Sequence, residues 1–459
     1  MAHVLILGAT GLIGQALGQA LVRRGDQVSI VSRGVKPEQL SFPCKVLRWG
    51  SDCRELPEGA LDGIDAVVNL AGESIAEGRW TEAKKARLTA SRLGPTEAMA
   101  QGIARSTRKP RVVVQASAIG YYPDAGEDEL TEDSPASKQF TGELCSKWEA
   151  ATEPLKSLGV RVALLRIGVV LAHGGGALPK LAKLYRLGLG AAPGSGDQWF
   201  SWIHLDDMVG LILAAISNDK AAGPINATAP NPCRFVELHR QLTGRASGPV
   251  LKAPSPVMKV VLGEASQMVL ASSRVVPVKA LELGYQYRFP TIAAAVDDLL
   301  GTGKLRDTDW LRATQWLPAP LAEVAKYFSD ERNLEELTPP WLNFNVLGKS
   351  TPEIGNKTLI YYKLRLHGIP FKWTTEIIGW NPPEGFVDQQ LRGPFAVWHH
   401  THQFSELGGG TLVVDFVRYK PPVGILGALT GGWMVDRDVE RIFGYRRETI
   451  AKRFPYGTG

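Results

Sequence analysis

Three glycines near the start of the chain have the spacing that nucleotide phosphates require. Gly8, Gly11 and Gly14 lie in the segment GATGLIG, which follows the apolar run VLIL at residues 4–7 and opens an apolar-periodic stretch at residues 12–22. A strand, a glycine-rich turn and a helix in this order form a dinucleotide-binding fingerprint. An ordinary strand-to-helix turn is the alternative. The loop residues expected to hold the cofactor are Gly8, Thr10, Gly11, Leu12, Ile13 and Gly14.

Each glycine has a separate physical role in this fingerprint. Gly8 allows the tight turn, Gly11 lets the backbone approach a pyrophosphate, and Gly14 permits close packing of the helix. The free N–H groups and the dipole at the start of the helix then stabilise the phosphate charge.

The residues after the second strand candidate distinguish between two dinucleotides. When NAD is preferred, an acidic residue at this place binds the ribose hydroxyls. Here Ser32 and Arg33 follow the run VSIV at residues 28–31. A guanidinium and a hydroxyl suit a 2′-phosphate, and each charge-assisted hydrogen bond contributes about 1.5–3 kcal/mol. The sequence therefore predicts NADP as the cofactor, with a solvated loop arginine as the alternative.

Strands and helices alternate along the first 300 residues. β-Branched apolar runs, separated by helical patterns, predict strands at residues 4–7, 28–31, 66–71, 111–117 and 160–170. This alternation is typical of βαβ units. The fold class predicted is α/β, with a Rossmann-type doubly wound parallel sheet that is buried on both faces.

The last third of the chain has a different pattern. It holds seven of the twelve tryptophans, and its strand candidates follow one another without intervening helices. We predict an α+β domain with a strand at residues 311–317, a helix from 321 to about 337, strands to about 417 and a closing helix at 435–454. The predicted domains are residues 1–303 and 304–459.

Composition narrows the class of protein. A chain of 459 residues predicts two or three domains, and 44% hydrophobic against 21% charged residues excludes disorder as the default. Fifty-two basic and 46 acidic residues leave a net charge of +6. No basic stripe stands among aromatic residues, so we expect no nucleic-acid partner.

The spacing of the cysteines and the hydropathy pattern bear on the cellular compartment of the protein. Cys44, Cys53, Cys145 and Cys233 have no CxxC spacing, which indicates neither a zinc ribbon nor a disulfide scaffold. The N-terminus has no basic region ahead of its apolar run, and no apolar stretch reaches about 18 residues. We expect a cytoplasmic protein without stable membrane insertion.

A set of motifs now carries a family resemblance over residues 1–300. The motifs are GATGLIG, SR after the second strand, NLAGE at 69–73, W-x6-R-x4-R, SAIGYY at 117–122, FTGELCSKWE at 140–149, RIGVVL at 166–171, WIHLDD at 202–207 and PNP at 230–232. As a set they resemble the atypical extended short-chain dehydrogenase/reductases. This group is often labelled an epimerase family or nucleoside-diphosphate-sugar epimerase-like. The resemblance implies that the cofactor is lined by Ser32, Arg33, Leu70, Ala71, Gly72, Arg87, Arg92 and Val170.

The catalytic residues are harder to assign. Classical members of this superfamily use a serine, a tyrosine and a lysine four residues after the tyrosine. Ser117 matches the serine, but the segment at 140–149 offers Thr141 and Cys145 where YxxxK should fall. We expect Ser117 and Tyr121 to be catalytic, although a tyrosine at a strand end is often only a packed aromatic. Two further candidates nearby are Tyr122 and Lys147.

The polar residues of two later motifs have competing interpretations. His204 could contact substrate, whereas Asp206 or Asp207 is predicted to cap the following helix. Asn226 and Asn231 lie in a turn-rich segment that fits either a substrate-covering loop or simple Asx turns.

The C-terminal region resembles the START-like, helix-grip superfamily. PAPLAEVAKYFSD, LTPPW and GPFAVWHHTHQF are its best matches. The resemblance implies a curved sheet around a long helix, with a cavity for an apolar ligand; a solidly packed domain that mediates dimer contacts is the alternative. The apolar segment at 421–435 is expected to be a loop at the cavity mouth, with transient lipid contact as a lesser alternative.

Three histidines in this region raise the question of a metal. His400 and His402 would share one face of a strand that also carries His399. No carboxylate or cysteine stands at ligand spacing in the sequence, so we expect no metal.

Together these features predict an NADP(H)-dependent oxidoreductase or epimerase-like enzyme acting on a small molecule, with a C-terminal domain for a hydrophobic ligand. The alternative is a nucleotide-binding regulatory or scaffold protein without turnover, because relatives have also carried a cell-division-inhibitor label. The sequence leaves the substrate and the oligomeric state open.

Overall fold

The chain folds into two units, and the second takes in a short segment from the first fifty residues. The computed structural model describes residues 1–50, 53–186, 190–244, 250–301, 306–421 and 425–456. Unit 1 comprises Met1–Val35 and Cys44–Gly301, and unit 2 comprises Lys36–Pro43 and Thr302–Gly459. Among the described helices, none combines the length and the hydropathy needed to cross a membrane. None of the four cysteines, all of which are described, forms a disulfide.

Unit 1 contains sixteen of the described strands and eleven of the described helices. The strands are β1 (His3–Leu7), β2 (Gln27–Ser32), β3 (Lys45–Arg48), β4 (Ala66–Asn69), β5 (Val112–Ala118), β6 (Glu129–Leu130), β7 (Arg161–Ile167), β8 (Val169–Ala172), β9 (Gly175–Gly176), β10 (Ala192–Pro193), β11 (Trp199–Phe200), β12 (Trp202–His204), β13 (Gly223–Ala227), β14 (Cys233–Arg234), β15 (Lys252–Ala253) and β16 (Arg274–Val275). The helices are α1 (Leu12–Arg23), α2 (Glu82–Arg105), α3 (Phe140–Ala150), α4 (Glu153–Ser157), α5 (Leu178–Arg186), α6 (Leu205–Ser217), α7 (Phe235–Thr243), α8 (Ser255–Leu262), α9 (Gln267–Leu270), α10 (Val278–Glu282) and α11 (Ile292–Leu300).

Seven of these strands form one parallel sheet, which confirms the predicted fold class. Their order is β13-β7-β5-β4-β1-β2-β3, and every pairing is parallel. Strands β1 and β4 are buried over most of their length, as expected of a sheet covered on both faces. Helix α1 packs against α6, whereas α2 packs against α3 and α4. After β1 the chain adds β2 and β3 on one side of that strand, and it then returns to add β4 on the other side. The topological switch point of the sheet therefore lies between β1 and β4.

The predicted strand at residues 160–170 is in fact two strands. Strand β7 ends at Ile167, and β8 leaves the main sheet to pair with β12. At Gly168 between them, an added Cβ would lie 3.0 Å from Thr228 Cγ2 and 3.1 Å from the carbonyl oxygen of Ser201. A glycine therefore allows the chain to change sheets at this crowded point, which an uninterrupted apolar run does not reveal.

The WIHLDD motif anchors the end of unit 1 to α6. The helix is capped by His204, whose Nδ1 accepts a hydrogen bond from the backbone N–H of Asp206 at 3.1 Å, so the predicted aspartate cap was wrong. Burial lowers the pKa of His204 and favours the neutral ring that this cap requires. The buried Asp207 carboxylate instead accepts the backbone N–H groups of Arg288 at 2.8 Å and Phe289 at 2.9 Å. Through these contacts the motif holds the start of α6 against the backbone at Arg288 and Phe289, which is a structural role.

Unit 2 is built on one antiparallel sheet. Its strands are β17 (Asp309–Leu317), β18 (Asn345–Lys349), β19 (Leu359–Leu366), β20 (Ile369–Asn381), β21 (Gly385–Arg392), β22 (Val397–Leu407) and β23 (Gly410–Lys420), and its helices are α12 (Leu321–Phe328), α13 (Asn333–Leu337) and α14 (Ile425–Arg453). The strand order is β17-β23-β22-β21-β20-β19-β18. Val439 and Phe443 of α14 pack against Val417 and Tyr419 of β23, so the long helix covers one face of the sheet.

Two helix predictions in unit 2 need correction. The helix expected from 321 to about 337 is interrupted after Phe328, because Ser329 Oγ donates to the carbonyl oxygen of Ala325 and the Asp330 side chain accepts the backbone N–H of Arg332. The closing helix begins at Ile425, ten residues earlier than predicted. The expected loop at 421–435 is therefore helical from Ile425, and residues 422–424 lie outside the described part of the chain.

Candidate functional site

The glycine-rich loop between β1 and α1 tolerates no side chain at two of its positions. Gly8 has a φ of +82°, and an added Cβ would lie 2.7 Å from the carbonyl carbon of Leu70. A Cβ on Gly14 would lie 2.5 Å from the carbonyl oxygen of Gly8. Both contacts are with backbone, which cannot move aside. Gly8 thus brings the loop against the end of β4, and Gly14 brings α1 against the loop.

The start of α1 has free hydrogen-bonding capacity. Its N-cap is Gly11, which offers no capping side chain, and its first turn contains no acidic residue. A Cβ on Gly11 would meet only the carbonyl oxygen of Gly8, at 3.4 Å. Thr10 and Gly11 are exposed, whereas Leu12 and Ile13 are half-buried. The first N–H groups of the helix and its positive dipole end therefore face an open place where an anion fits.

The end of β2 presents one free charge to this region. Ser32 Oγ accepts the backbone N–H of Val35 at 3.2 Å and so shapes the turn that follows the strand. The Arg33 side chain is exposed, and among the described residues it makes no ion pair. Its guanidinium is available to a ligand phosphate at the carboxyl edge of the sheet.

The NLAGE segment after β4 is held from two sides. Asn69 is fully buried and donates to Thr96 Oγ1 at 3.0 Å and Gln115 Oε1 at 2.9 Å, while its own oxygen accepts the N–H of Ala71. Leu70 and Ala71, both half-buried, are fixed beside Gly8 by these bonds. The rigid segment forms a second wall of the candidate cofactor site.

Four more predicted cofactor residues have distinct positions. Arg92 donates to the carbonyl oxygens of Leu88 and Glu73 at 3.1 Å and packs against the exposed Gly72, so its guanidinium mainly holds the NLAGE segment. Arg87 is exposed and lies 3.6 Å from the Glu73 carboxylate. Val170 is half-buried in β8 and pairs with Ile203 of β12. Of the two arginines, Arg87 is the exposed one, and a ligand would compete with Glu73 for its guanidinium.

Three neighbouring strands place a row of polar side chains at the carboxyl edge of the sheet. Ser117 of β5 is in register with Arg166 of β7, and Arg166 is in register with Asn226 of β13. All three residues are buried, with Ser117 and Arg166 only 2% exposed. Directly paired residues of neighbouring strands project to the same face of the sheet. The row therefore forms one connected polar layer.

A buried ion pair holds this row together. Arg166 Nε and Nη2 donate to the two carboxylate oxygens of Glu149, at 2.9 and 3.0 Å. Arg166 Nη1 donates to the Tyr122 hydroxyl at 2.9 Å and to the carbonyl oxygen of Glu132 at 3.0 Å. Burial alone would lower the pKa of Arg166, but the bidentate carboxylate outweighs it and raises the pKa above the ordinary value. The guanidinium is thus charged, and each of its three nitrogens donates a hydrogen bond.

Ser117, expected to face a substrate, turns inward. Its Oγ donates to Glu149 Oε1 at 2.6 Å, so its proton is committed to the ion pair. The carboxylate needs this donor because each unmet bond to a buried charge is costly. In the structure Ser117 positions Glu149 and presents no free hydroxyl at the surface.

The two tyrosines of the SAIGYY motif differ in availability. The Tyr122 hydroxyl donates to Asn226 Oδ1 at 2.7 Å, and burial raises its pKa to about 12. Tyr121 is half-buried, and its ring lies 3.5 Å below the guanidinium carbon of Arg166. Tyr121 is consequently the phenol of this motif that stays accessible. Lys147 is an exposed residue of α3.

The positions of the usual tyrosine and lysine hold groups that cannot replace them. Thr141 lies in the first turn of α3, and Cys145 follows one turn later in the buried part of the helix. Burial raises the pKa of the Cys145 thiol to about 11. The thiol is therefore neutral near pH 7 and supplies no positive charge, unlike a lysine ammonium.

The two turn asparagines also have assigned places. Asn226 belongs to the polar row, and its side-chain amide donates to the carbonyl oxygen of Val276 at 2.9 Å. Asn231 donates to the carbonyl oxygen of Pro290 at 3.0 Å. Both tie the turn to the last part of unit 1, a role beyond a local Asx turn.

The most important site residues missed from the sequence are Glu149 and Arg166. Arg166 is the next-to-last residue of β7 and follows the apolar run at residues 162–165, and Glu149 lies in α3 on a face that is otherwise apolar. A charged residue within a buried strand is itself a signal, since isolated buried charges are rare. The sequence does not show that the two charges meet.

Unit 2 encloses a cavity of about 60 Å³. Its apolar lining includes Phe328, Leu337, Ile360, Ile377, Trp380 and Phe386, and Asp388, His402 and Arg446 add polar groups. This volume has room for only a few water molecules. A larger ligand would require the lining side chains to move.

Sequence comparison places unit 1 among known proteins. Residues 4–227 match the NAD dependent epimerase/dehydratase family, and residues 253–299 match a domain of unknown function, DUF1731. The epimerase family protein SDR39U1 of Homo sapiens is 36% identical over 304 residues, which cover 65% of this chain and 99% of the relative. The chloroplastic SDR39U1 homolog of Arabidopsis thaliana is 38% identical over 301 residues, covering 64% of this chain and 85% of the relative.

Two solved structures have the same fold over this region. Human epimerase family protein SDR39U1 (isoform2), solved with NADPH, has a TM-score of 0.57 and 34% identity, covering 65% of this chain and 98% of that chain. A nucleoside-diphosphate sugar epimerase from Corynebacterium glutamicum has a TM-score of 0.54 and 33% identity, covering 67% of this chain and 59% of that chain.

The ion pair generates a stability prediction. Replacing Glu149 by Gln removes the charge that pairs with Arg166 and should lower the free energy of unfolding by about 3–5 kcal/mol, because the guanidinium stays buried without its counter-charge. The matched control is Glu143→Gln in the exposed first turn of the same helix, expected to change it by less than about 1 kcal/mol. Urea denaturation followed by circular dichroism measures both. Equal effects of the two substitutions would contradict a stabilising ion pair.

Proposed function

Because the chain belongs to the NAD dependent epimerase/dehydratase family, we propose that unit 1 binds NADP(H) and carries out a redox or epimerase-type reaction on a small molecule. The observation that carries the proposal is the glycine loop, where Gly8 and Gly14 leave no space for a side chain and the N-terminus of α1 is open. The relatives that support it are epimerase family proteins, one of them solved with NADPH.

Different residues of this chain would bind different parts of the cofactor. The loop at Gly8–Gly14 and the N-terminus of α1 would hold the pyrophosphate. Ser32 and Arg33 would hold the 2′-phosphate, because Arg33 is exposed and no acidic residue occupies the end of β2. Leu70, Ala71 and Val170 would provide apolar walls, and Arg87 a second positive charge. Arg92 would act from behind by holding the NLAGE segment in place.

The chemistry needs a proton donor beside the substrate oxygen. When bound, the nicotinamide supplies or accepts a hydride at its ring, and this chain must handle the accompanying proton. Tyr121 is the available phenol near the carboxyl edge of β5, since the Tyr122 hydroxyl is bonded to Asn226. We assign proton exchange to Tyr121 and the positioning of the polar row to Ser117 through Glu149.

A second candidate function is a nucleotide-binding regulator without turnover. Thr141 and the neutral thiol of Cys145 stand where the proton-transferring pair of the superfamily is expected. A chain that keeps the cofactor loop and lacks this pair would bind the dinucleotide as a signal. Tight NADPH binding without turnover of any carbonyl substrate favours this function over the enzyme.

For unit 2 we propose a START-like, helix-grip domain that binds a small apolar molecule. The support is the antiparallel sheet covered by the long helix α14, together with the largely apolar cavity. Saturable one-site binding of an apolar fluorescent dye to the full chain should weaken at least tenfold in Ile360→Trp, which fills the cavity. Val346→Trp, a half-buried position that does not line the cavity, is the control. Binding unaffected by Ile360→Trp would contradict the proposal.

Cofactor preference tests the assignment of Arg33. NADPH should bind more tightly than NADH, and Arg33→Asp should reduce the NADPH affinity about 10- to 150-fold while leaving the NADH affinity nearly unchanged. Lys220→Asp is a charge-matched control, because Lys220 is exposed in the turn before β13, at the opposite edge of the sheet. Fluorescence titration measures the six affinities of the three proteins for the two cofactors. Equal affinities of the unmodified protein for the two cofactors would exclude a 2′-phosphate site.

Turnover tests the assignment of Tyr121. With a carbonyl substrate found by screening NADPH oxidation, Tyr121→Phe should lower the rate about 10²- to 10⁴-fold, because a general acid is removed. The NADPH affinity should be unchanged. Lys147→Met, on the exposed surface of α3, should retain the full rate. An unchanged rate in Tyr121→Phe would rule out this phenol as the proton donor.

A further inference from the structure

Two histidines and two aspartates of unit 2 meet through the register of three neighbouring strands. Asp388 of β21 is paired with His400 of β22, and His402 of β22 is paired with Asp415 of β23. His400 and His402, two residues apart, project to the same face of their strand. The sequence offered no carboxylate at ligand spacing, because both carboxylates come from other strands.

Each imidazole has one nitrogen on each carboxylate. His400 Nδ1 lies 3.2 Å and His402 Nε2 lies 2.9 Å from the same oxygen, Asp388 Oδ2. The opposite nitrogens, His400 Nε2 and His402 Nδ1, both lie 3.0 Å from Asp415 Oδ1. All four side chains are largely buried, and Asp388, the most accessible, is 17% exposed. Two nitrogens and one oxygen thus converge on the Asp388 side of the rings.

We propose that Asp388, His400 and His402 form a binding site for a divalent transition-metal ion of the Zn²⁺ and Fe²⁺ class. One ligand atom from each residue lies within 4.8 Å of the others. A metal ion binds nitrogen and oxygen ligands at 2.0–2.2 Å. Two such ligand atoms lie about 2.9 Å apart when their bonds to the metal form a right angle, and about 3.4 Å apart when the angle is tetrahedral. The two distances from Asp388 Oδ2, 2.9 and 3.2 Å, fall in this range.

Asp415 has the place of an outer carboxylate. A histidine that binds a metal through one ring nitrogen usually donates its other N–H to a carboxylate, which fixes the ring and its tautomer. Asp415 Oδ1 is hydrogen-bonded to His400 Nε2 at 3.0 Å and lies 3.0 Å from His402 Nδ1, and Arg446 Nε donates to the second oxygen of Asp415 at 3.1 Å. The guanidinium would repel a cation on the Asp415 side. The metal therefore belongs on the Asp388 side.

The surroundings leave part of the coordination sphere open. Asp388 and His402 line the cavity, whereas Phe386 stacks on the His402 ring with centroids 4.3 Å apart and shields it. Two imidazoles and one carboxylate leave at least one position for water or an oxygen of a small ligand. This site is independent of the dinucleotide site in unit 1.

Metal titration of the full chain tests the proposal. Tag-free protein, freed of metal by a chelator, should take up one equivalent of Zn²⁺ by elemental analysis and develop the visible absorption of an imidazole-bound Co²⁺ ion. Asp388→Asn and His402→Gln should each weaken Co²⁺ binding at least about 100-fold, since even outer-residue changes cost 10–100-fold.

The matched control is His399→Gln on the same strand, whose side chain alternation places on the opposite face. It should retain the unmodified affinity. Should Asp388→Asn or His402→Gln fail to fold, pulsed electron paramagnetic resonance of the unmodified protein with Cu²⁺ counts the bound imidazoles; two support the site, and fewer refute it. Uptake below one equivalent, indicating a metal-free ion-pair cluster, or uptake that both folded variants retain, would overturn the proposal.

Discussion

The bidentate contact between Glu149 and Arg166 is the constraint on which the edge of unit 1 depends. A buried pair is tolerated only when every remaining donor and acceptor is matched. Five hydrogen bonds that involve two strands, one helix and two loop residues meet this need here. The pair fixes α3 against the sheet. Through Tyr122 and Asn226 it also connects to the end of unit 1, where Glu132 Oε1 accepts the backbone N–H groups of Asn226 and Lys279.

This constraint determines which groups are left for chemistry. Ser117 and Tyr122 use their hydroxyls within the network, so neither is free to exchange a proton with a ligand. Position 145 lies one turn before Glu149 on α3 and holds a buried thiol, whose pKa is raised by burial and by the Glu149 carboxylate. This thiol adds no charge beside the ion pair. Tyr121 is the accessible phenol because the hydroxyl of its neighbour Tyr122 is bonded to Asn226.

Local patterns predicted much of this molecule and distant pairings did not. The parallel sheet and the glycine loop follow from apolar runs and from Gly8, Gly11 and Gly14, because each signal is contained within about 25 residues. The strand break at Gly168 depends on Ser201 and Thr228, which lie more than 30 residues away. The inward turn of Ser117 likewise depends on Glu149 of α3. The type of a residue determines which hydrogen bonds and charges it can provide. Its neighbours in the fold determine whether those groups are already occupied.

Strand register explains why neither polar cluster could be predicted from the order of residues along the chain. In unit 1, parallel pairing puts Ser117, Arg166 and Asn226 in one row although 109 residues separate the first from the last. In unit 2, antiparallel pairing puts Asp388 beside His400 and Asp415 beside His402. A shift of one residue would send either set to the opposite face and separate its charges. Because such a shift would leave charges buried without partners, the polar clusters and the registers stabilise each other, and the same pairings that define the sheets also assemble their sites.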